Sequence, residues 1–266
     1  MKNGEVRGPF GTMDYVSFGT GSRQLVILPG LSDGLATVKG KAMLLAPAWK
    51  PFFKDYTITM FSRRNDLPRG ITIKEMAQDQ ADAMHILHLE HACVMGVSQG
   101  GMVAQLLAAD HPECVDCLML VVTSPYCSEY IRANLEHWKT LTAENRHREF
   151  MIDTAEKTYS EAYLKTFRLM YPMLGLLAKP KSYERLYANI DAIESFDARN
   201  DLSRITCPVL ILGGKKDLTV SGEASQMIHE AIPASELYMY EEYGHGLYEE
   251  AKDFNARILE FLKTHG

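Results

Sequence analysis

No apolar run in the chain approaches the roughly 20 residues that a membrane-spanning helix requires, so no transmembrane segment is expected. The opening stretch, MKNGEVRGPFGTMDYVSFG, lacks the apolar core of a secretory signal, and a cytoplasmic protein is expected. Positive charge is not in excess: 28 Lys and Arg stand against 34 Asp and Glu, for a formal net charge of −6. No Lys/Arg stripe suited to phosphates occurs, which excludes nucleic acid as a partner and leaves a small-molecule substrate. Cysteine is scarce and odd in number, with five residues (Cys93, Cys114, Cys117, Cys127, Cys207) set mostly in apolar runs. Free thiols in a reducing compartment are expected rather than a disulfide framework. Cys114-x-x-Cys117 has no second Cys or His pair at zinc spacing. His85, His88 and His91, spaced by three at the end of a helical run, have no evident carboxylate or cysteine cluster beside them and read as a solvated helix face. Neither a metal nor a cofactor is therefore expected. Internal repeats and low-complexity linkers are absent as well.

The 266 residues present, 46% hydrophobic and 23% charged, suit one globular α/β domain with an insertion. Short apolar runs alternate with helical patterns, the signature of βαβ units and a parallel sheet. Residues 24–30, QLVILPG, read as a buried strand ended by Pro-Gly. Further strands are expected at 56–61, 93–97, 115–124 and 207–214, and residues 236–246 begin with the alternation of an outer strand. Thr72-Ile-Lys-Glu75 has the form of a capping box opening a helix. QGGMVAQLLAADHP reads as a helix stopped near Pro112, and YEEAKDFNARILEFLKTHG as a closing amphipathic helix. Residues 128–196 differ, with helical periodicity, no strand-like run and many Tyr and Met. The expected organisation is a core of 1–127 and 197–266 interrupted by a helical cap of 128–196. Tyr130, Tyr159, Tyr163, Met170, Tyr171 and Met173 give that cap the composition of a mostly apolar pocket wall.

Gly96-Val97-Ser98-Gln99-Gly100-Gly101 lies between the strand ACVMGV and a helical run. A serine flanked by glycines at a strand-to-helix junction has the form of a nucleophile elbow. The strained turn lifts the hydroxyl clear of the sheet, and small neighbours avoid clashes. A hydroxyl needs a base, and the base needs an orienting carboxylate. Asp217 follows the strand PVLILGG, and His245 follows the next strand inside YGHG. Loops at the carboxyl ends of parallel strands line one crevice, so Ser98, Asp217 and His245 can converge there. The other histidines precede the elbow strand, end helices or fall in the insertion. An oxyanion site needs two backbone N–H donors. Gln99, after the serine, supplies one, and Leu31, in the VILPGLSDG loop, supplies the other.

These motifs, LPGLSDG, GVSQGG, PVLILGGKKD and YGHG, resemble the α/β-hydrolase superfamily over essentially the full chain. The resemblance implies an α/β fold with a mostly parallel eight-stranded sheet flanked by helices and a helical cap after the sixth strand. It also implies hydrolysis of a small or medium ester, thioester or amide without a cofactor. One departure is the run MFSRRNDLPRG, where many relatives have Asp-x-Arg-Gly-x-Gly. Arg63 and Arg64 in that run are expected to make structural salt bridges, with contact to an anionic substrate as the alternative. Carbon–carbon bond hydrolysis, cofactor-free haloperoxidase-like chemistry and a ligand-binding receptor are compatible with the same motifs.

Overall fold

The computed structural model describes residues 1–174 and 179–266. The chain opens with a hairpin of β1 (Lys2–Gly8) and β2 (Gly11–Gly19), closed at Pro9-Phe10 with Gly8 opposite Gly11. There follow β3 (Arg23–Leu28), α1 (Ala42–Leu45), β4 (Tyr56–Arg64), α2 (Ile73–Ile86), β5 (Ala92–Val97), α3 (Gln99–Asp110) and β6 (Val115–Val121). Helices α4 (Glu129–Ala143), α5 (His147–Thr158), α6 (Glu161–Phe167), α7 (Tyr171–Leu174) and α8 (Glu184–Glu194) come next. The chain ends with β7 (Val209–Gly214), α9 (Ala224–Ala231), β8 (Glu236–Tyr240), α10 (Leu247–Glu250) and α11 (Phe254–His265).

The strands form one eight-stranded sheet in the order β1-β2-β4-β3-β5-β6-β7-β8. Only β1–β2 and β2–β4 pair antiparallel; β3–β4, β3–β5 and the pairs onward to β8 are parallel. Both faces of the parallel strands are covered, which is why those strands read as continuous apolar runs. Side chains still alternate between two cores. Val94, Leu118, Leu120 and Ile211 pack on the face of α2 and α3, with Met84, Val103 and Leu107. Met95, Met119, Val121 and Leu212 pack on the other face, against Phe254, Ile258 and Phe261 of α11.

The sequence reading assigned no strands to the first 19 residues. β1 is an edge strand that buries only Val6, so it lacks an apolar stripe. The capping box does form: Glu75 N–H donates to Thr72 Oγ1 at 3.1 Å, and Thr72 N–H donates to Glu75 Oε2 at 2.8 Å. The expected histidine face does not. The helix ends at Ile86, and His88 and His91 lie beyond it at φ 53° and 60°. His85 also has neighbours that linear spacing hides, since Glu113 and Cys114 each bring a potential ligand atom within 4.8 Å of it and of one another. Burial pushes the Cys114 thiol up to about 12, away from thiolate character.

The chain leaves the sheet region at Pro125 and returns at Ala198 alongside itself. Cys127 N–H donates to Phe196 O at 3.0 Å, and Ala198 N–H donates to Pro125 O at 2.8 Å. Tyr126 and Asp197 form an isolated bridge between these two crossings. No strand occurs between them among the described residues.

Candidate active site

Ser98 sits between β5 and α3 at φ 54° and ψ −121°, a region costing a non-glycine residue about 1–3 kcal/mol. Its backbone is pinned there. Ser98 N–H donates to Val121 O at 2.9 Å, and Ser98 O accepts from Gly101 N–H at 2.8 Å and from Thr123 Oγ1 at 2.7 Å. The elbow glycines are sterically required: a Cβ on Gly100 would lie 1.9 Å from Leu28 O, and one on Gly96 would lie 2.4 Å from Gly100 O. Helix and strand therefore meet backbone to backbone, and the serine side chain is left at the carboxyl edge of the sheet.

The loops after β7 and β8 bring the acid and the histidine to that edge. Asp217 Oδ1 accepts from Thr219 N–H at 2.8 Å and Val220 N–H at 3.0 Å, which fixes the carboxylate. Its Oδ2 lies 2.8 Å from His245 Nδ1. A carboxylate can only accept, so Nδ1 carries a proton and Nε2 is free to accept. Nε2 lies 2.9 Å from Ser98 Oγ. Both Asp217 and His245 are buried. Gly246 N–H donates to Thr158 O at 2.6 Å, tying the histidine loop to the end of α5.

Leu31 opens a 3-10 turn, Leu31–Gly34, and Gln99 opens α3. First positions of helical turns have N–H groups without an intrahelical acceptor, so both residues offer a backbone donor near Ser98. The Gln99 side chain turns away, its Nε2 donating to Asn189 O of α8 at 3.2 Å.

Beneath the Leu31 turn lies an ionic network that the sequence reading missed. Arg185 of α8 donates through Nη2 to Asp33 Oδ2 at 2.6 Å and through Nη1 to Arg64 O at 2.7 Å. Asp33 Oδ2 also accepts from Arg63 N–H at 3.1 Å. Arg63 is buried, its Nη2 donates to Pro29 O at 2.8 Å, and burial pulls its guanidinium down to about 10. Arg64 makes the expected salt bridge, with Nε and Nη2 each 2.6 Å from the two oxygens of Asp79. Arg63 thus braces the Pro29–Leu31 loop through a carbonyl rather than through a side-chain carboxylate. Neither arginine lines the cavity at Ser98.

That cavity has a volume of about 330 Å³ and a mostly apolar wall. Gly30, Leu31, Ser98, Gln99 and His245 form its floor, while Ile131, Trp138, Phe150, Tyr159 and Leu186 come from the α4–α8 segment. Of the tyrosines and methionines singled out in the sequence, Tyr159 lines it. Tyr130, Tyr163, Met170 and Met173 are exposed instead. The wall also contains Glu249, four positions after His245 on α10, a solvent-exposed residue. Burial of its carboxyl raises it above the ordinary carboxylate range. A hydrogen bond from Tyr159 opposes that rise, the charge of Glu250 adds to it, and Tyr248 opposes it. The Tyr159 hydroxyl donates to Glu249 Oε2 at 2.9 Å. The signal available in sequence was adjacency, since Tyr248-Glu249-Glu250 follow the histidine loop directly.

This mostly parallel eight-stranded sheet with a crevice at its carboxyl edge defines the class of fold. Residues 46–252 match the family described as alpha/beta hydrolase fold, and the chain belongs to that family. Among curated relatives, a Yersinia enterocolitica protein named "Putative carbamate hydrolase RutD" is 27% identical over 199 residues, covering 74% of this chain and 72% of its own. A Bacillus subtilis AB hydrolase superfamily protein is 26% identical over 213 residues, covering 76% and 78%. Among solved structures, an enol-lactonase from Burkholderia xenovorans superposes with a TM-score of 0.80 at 18% identity, covering 98% of this chain and all of its own. No helix among the described residues is long and apolar enough to cross a membrane.

Proposed function

We propose that the protein is a serine hydrolase that cleaves small or medium carboxylic esters, or thioesters and amides, through an acyl-enzyme on Ser98. The observation that carries this reading is the unbroken hydrogen-bonded chain from Ser98 Oγ through His245 to Asp217, opening on a largely apolar cavity. His245 Nε2 takes the Ser98 proton as Oγ forms a bond to the carbonyl carbon, and the carbonyl electron pair moves to oxygen. The Leu31 and Gln99 N–H groups receive that oxyanion. Collapse breaks the bond to the leaving group, which takes the proton from His245. Water then attacks the acyl carbon as His245 accepts its proton; the acid departs and Ser98 regains its hydrogen. Asp217 holds the imidazole tautomer and balances its charge. A carbamate offers the same carbonyl to the same groups.

Residues 128–196 act as the cap. Side chains from this segment wall the same cavity as Ser98, which supports a role in excluding water and limiting substrate size. The five free thiols suit work in the reducing cytoplasm.

The test is pre-steady-state hydrolysis of p-nitrophenyl butyrate. A p-nitrophenol burst stoichiometric with enzyme is expected where deacylation is slower than acylation, and Ser98→Ala should lose at least about 10⁴ in kcat. A Ser98→Ala protein within tenfold of wild type would overturn the reading.

A further inference from the structure

We propose that the cavity is built for a substrate bearing an alkylammonium group, which Glu249 and the surrounding aromatic wall hold while its carbonyl meets Ser98. The inference rests on the reading of the Ser98 site given above and specifies what that site accepts.

Charge in the cavity is one-sided. Among the described residues that line it, Glu249 is the one carboxylate, and no lysine or arginine is present. No Lys or Arg side chain among the described residues lies within 4.0 Å of Glu249 to neutralise it; its polar contacts are the Tyr159 hydroxyl at 2.9 Å and the Tyr248 hydroxyl. A carboxylate offers about four lone-pair sites, so acceptor capacity remains. Glu249 is solvent-accessible at the rim of this wall, and the apolar and aromatic side chains around it still raise the cost of its charge. A ligand that brings its own cation removes that cost.

The contrast with the next residue is informative. Glu250 is committed to structure: its carboxylate accepts from Ser160 N–H at 3.0 Å and from the Ser160 hydroxyl, anchoring the start of α6. Glu249 has no such backbone to hold. Its neighbours are aromatic. Tyr159 stacks on Tyr163 with centroids 4.4 Å apart and tilts against Phe167 at 5.8 Å. Tyr159, Phe167, Trp138, Phe150 and Tyr248 all line the cavity. Aromatic faces beside a carboxylate attract alkylammonium groups through the ring quadrupole and direct charge together. The same arrangement disfavours an anionic substrate, because its charge would meet Glu249 with no compensating cation.

The test compares n-hexylammonium, n-hexanol and n-hexanoate by isothermal titration calorimetry at neutral pH on wild type and Glu249→Gln. No turnover is needed, so failure of this inference is distinct from failure of the hydrolase reading, which Ser98→Ala kinetics decide. Wild type should bind hexylammonium about tenfold more tightly than hexanol, and hexanoate most weakly. Glu249→Gln should bring hexylammonium to within about threefold of hexanol. The proposal is overturned if hexanoate matches or exceeds hexylammonium in wild type, if the Gln variant keeps the preference, or if none of the three binds. Should the variant not fold, the wild-type ranking decides alone.

Discussion

Gly30 packs closely on Ser98: a Cβ built on it would lie 3.2 Å from Ser98 Cβ, a tight contact, and 3.7 Å from Oγ, so the γ-carbons of a valine would crowd the serine. A side chain here must push either the serine or the Leu31 turn. Gly30→Val should therefore lower kcat/KM by about 10²–10³, the range for losing one oxyanion donor. The protein should stay folded by circular dichroism. Wild-type kinetics in the Val variant would remove the Leu31 turn from the mechanism.

Asp217 has two tasks, holding Thr219 and Val220 N–H through Oδ1 and His245 through Oδ2. In Asp217→Asn the amide competes for the wrong imidazole tautomer. A kcat loss of about 10⁴ is expected, as in a protease triad. A loss below about tenfold would point to another acid.

Arg185 crosses from α8 to the Leu31 turn and the end of β4, pairing with Asp33, whose side chain is 1% exposed. Removing one partner of a buried pair strands the other. Arg185→Met should cost about 3–5 kcal/mol in urea unfolding and weaken kcat/KM as well. A loss below about 1 kcal/mol would place the pair with ordinary surface bridges.

The parts of the site readable in sequence are those with a local pattern. Ser98 is marked by glycines forced by backbone contact, and Asp217 and His245 each follow a strand of the parallel sheet. What escaped notice depends on long-range packing. Arg185 and Asp33 are 152 positions apart, and Glu250 and Ser160 are 90 apart. Nothing local predicts either meeting. β1 escaped because an edge strand buries one side chain, and His88 and His91 were misplaced because the helix stops at Ile86, two and five positions short of them. The tyrosines of residues 128–196 show the limit of composition. It suggested an apolar wall, and side-chain direction then selected Tyr159 and left Tyr163 exposed.

Acidification should separate Glu249 from the rest of the cavity. Burial raises its carboxyl above the usual range, so on lowering the pH from 7 it gains a proton earlier than a free carboxylate would. Hexylammonium affinity should then fall as the carboxyl neutralises, while hexanol affinity should hold. Tyr159, Tyr248, Glu250 and His245 remain in Glu249→Gln, so the difference between the two proteins isolates Glu249. Parallel pH profiles in both would assign the effect to another group.

The central claim is that Ser98 carries the acyl group, and covalent labelling tests it most directly. Wild type treated with a fluorophosphonate should gain one phosphonyl adduct by intact mass, mapped by peptide sequencing to Ser98. His245→Ala should label far more slowly, and Ser98→Ala should not label. An adduct on any other residue, or equal labelling of wild type and Ser98→Ala, would contradict the account.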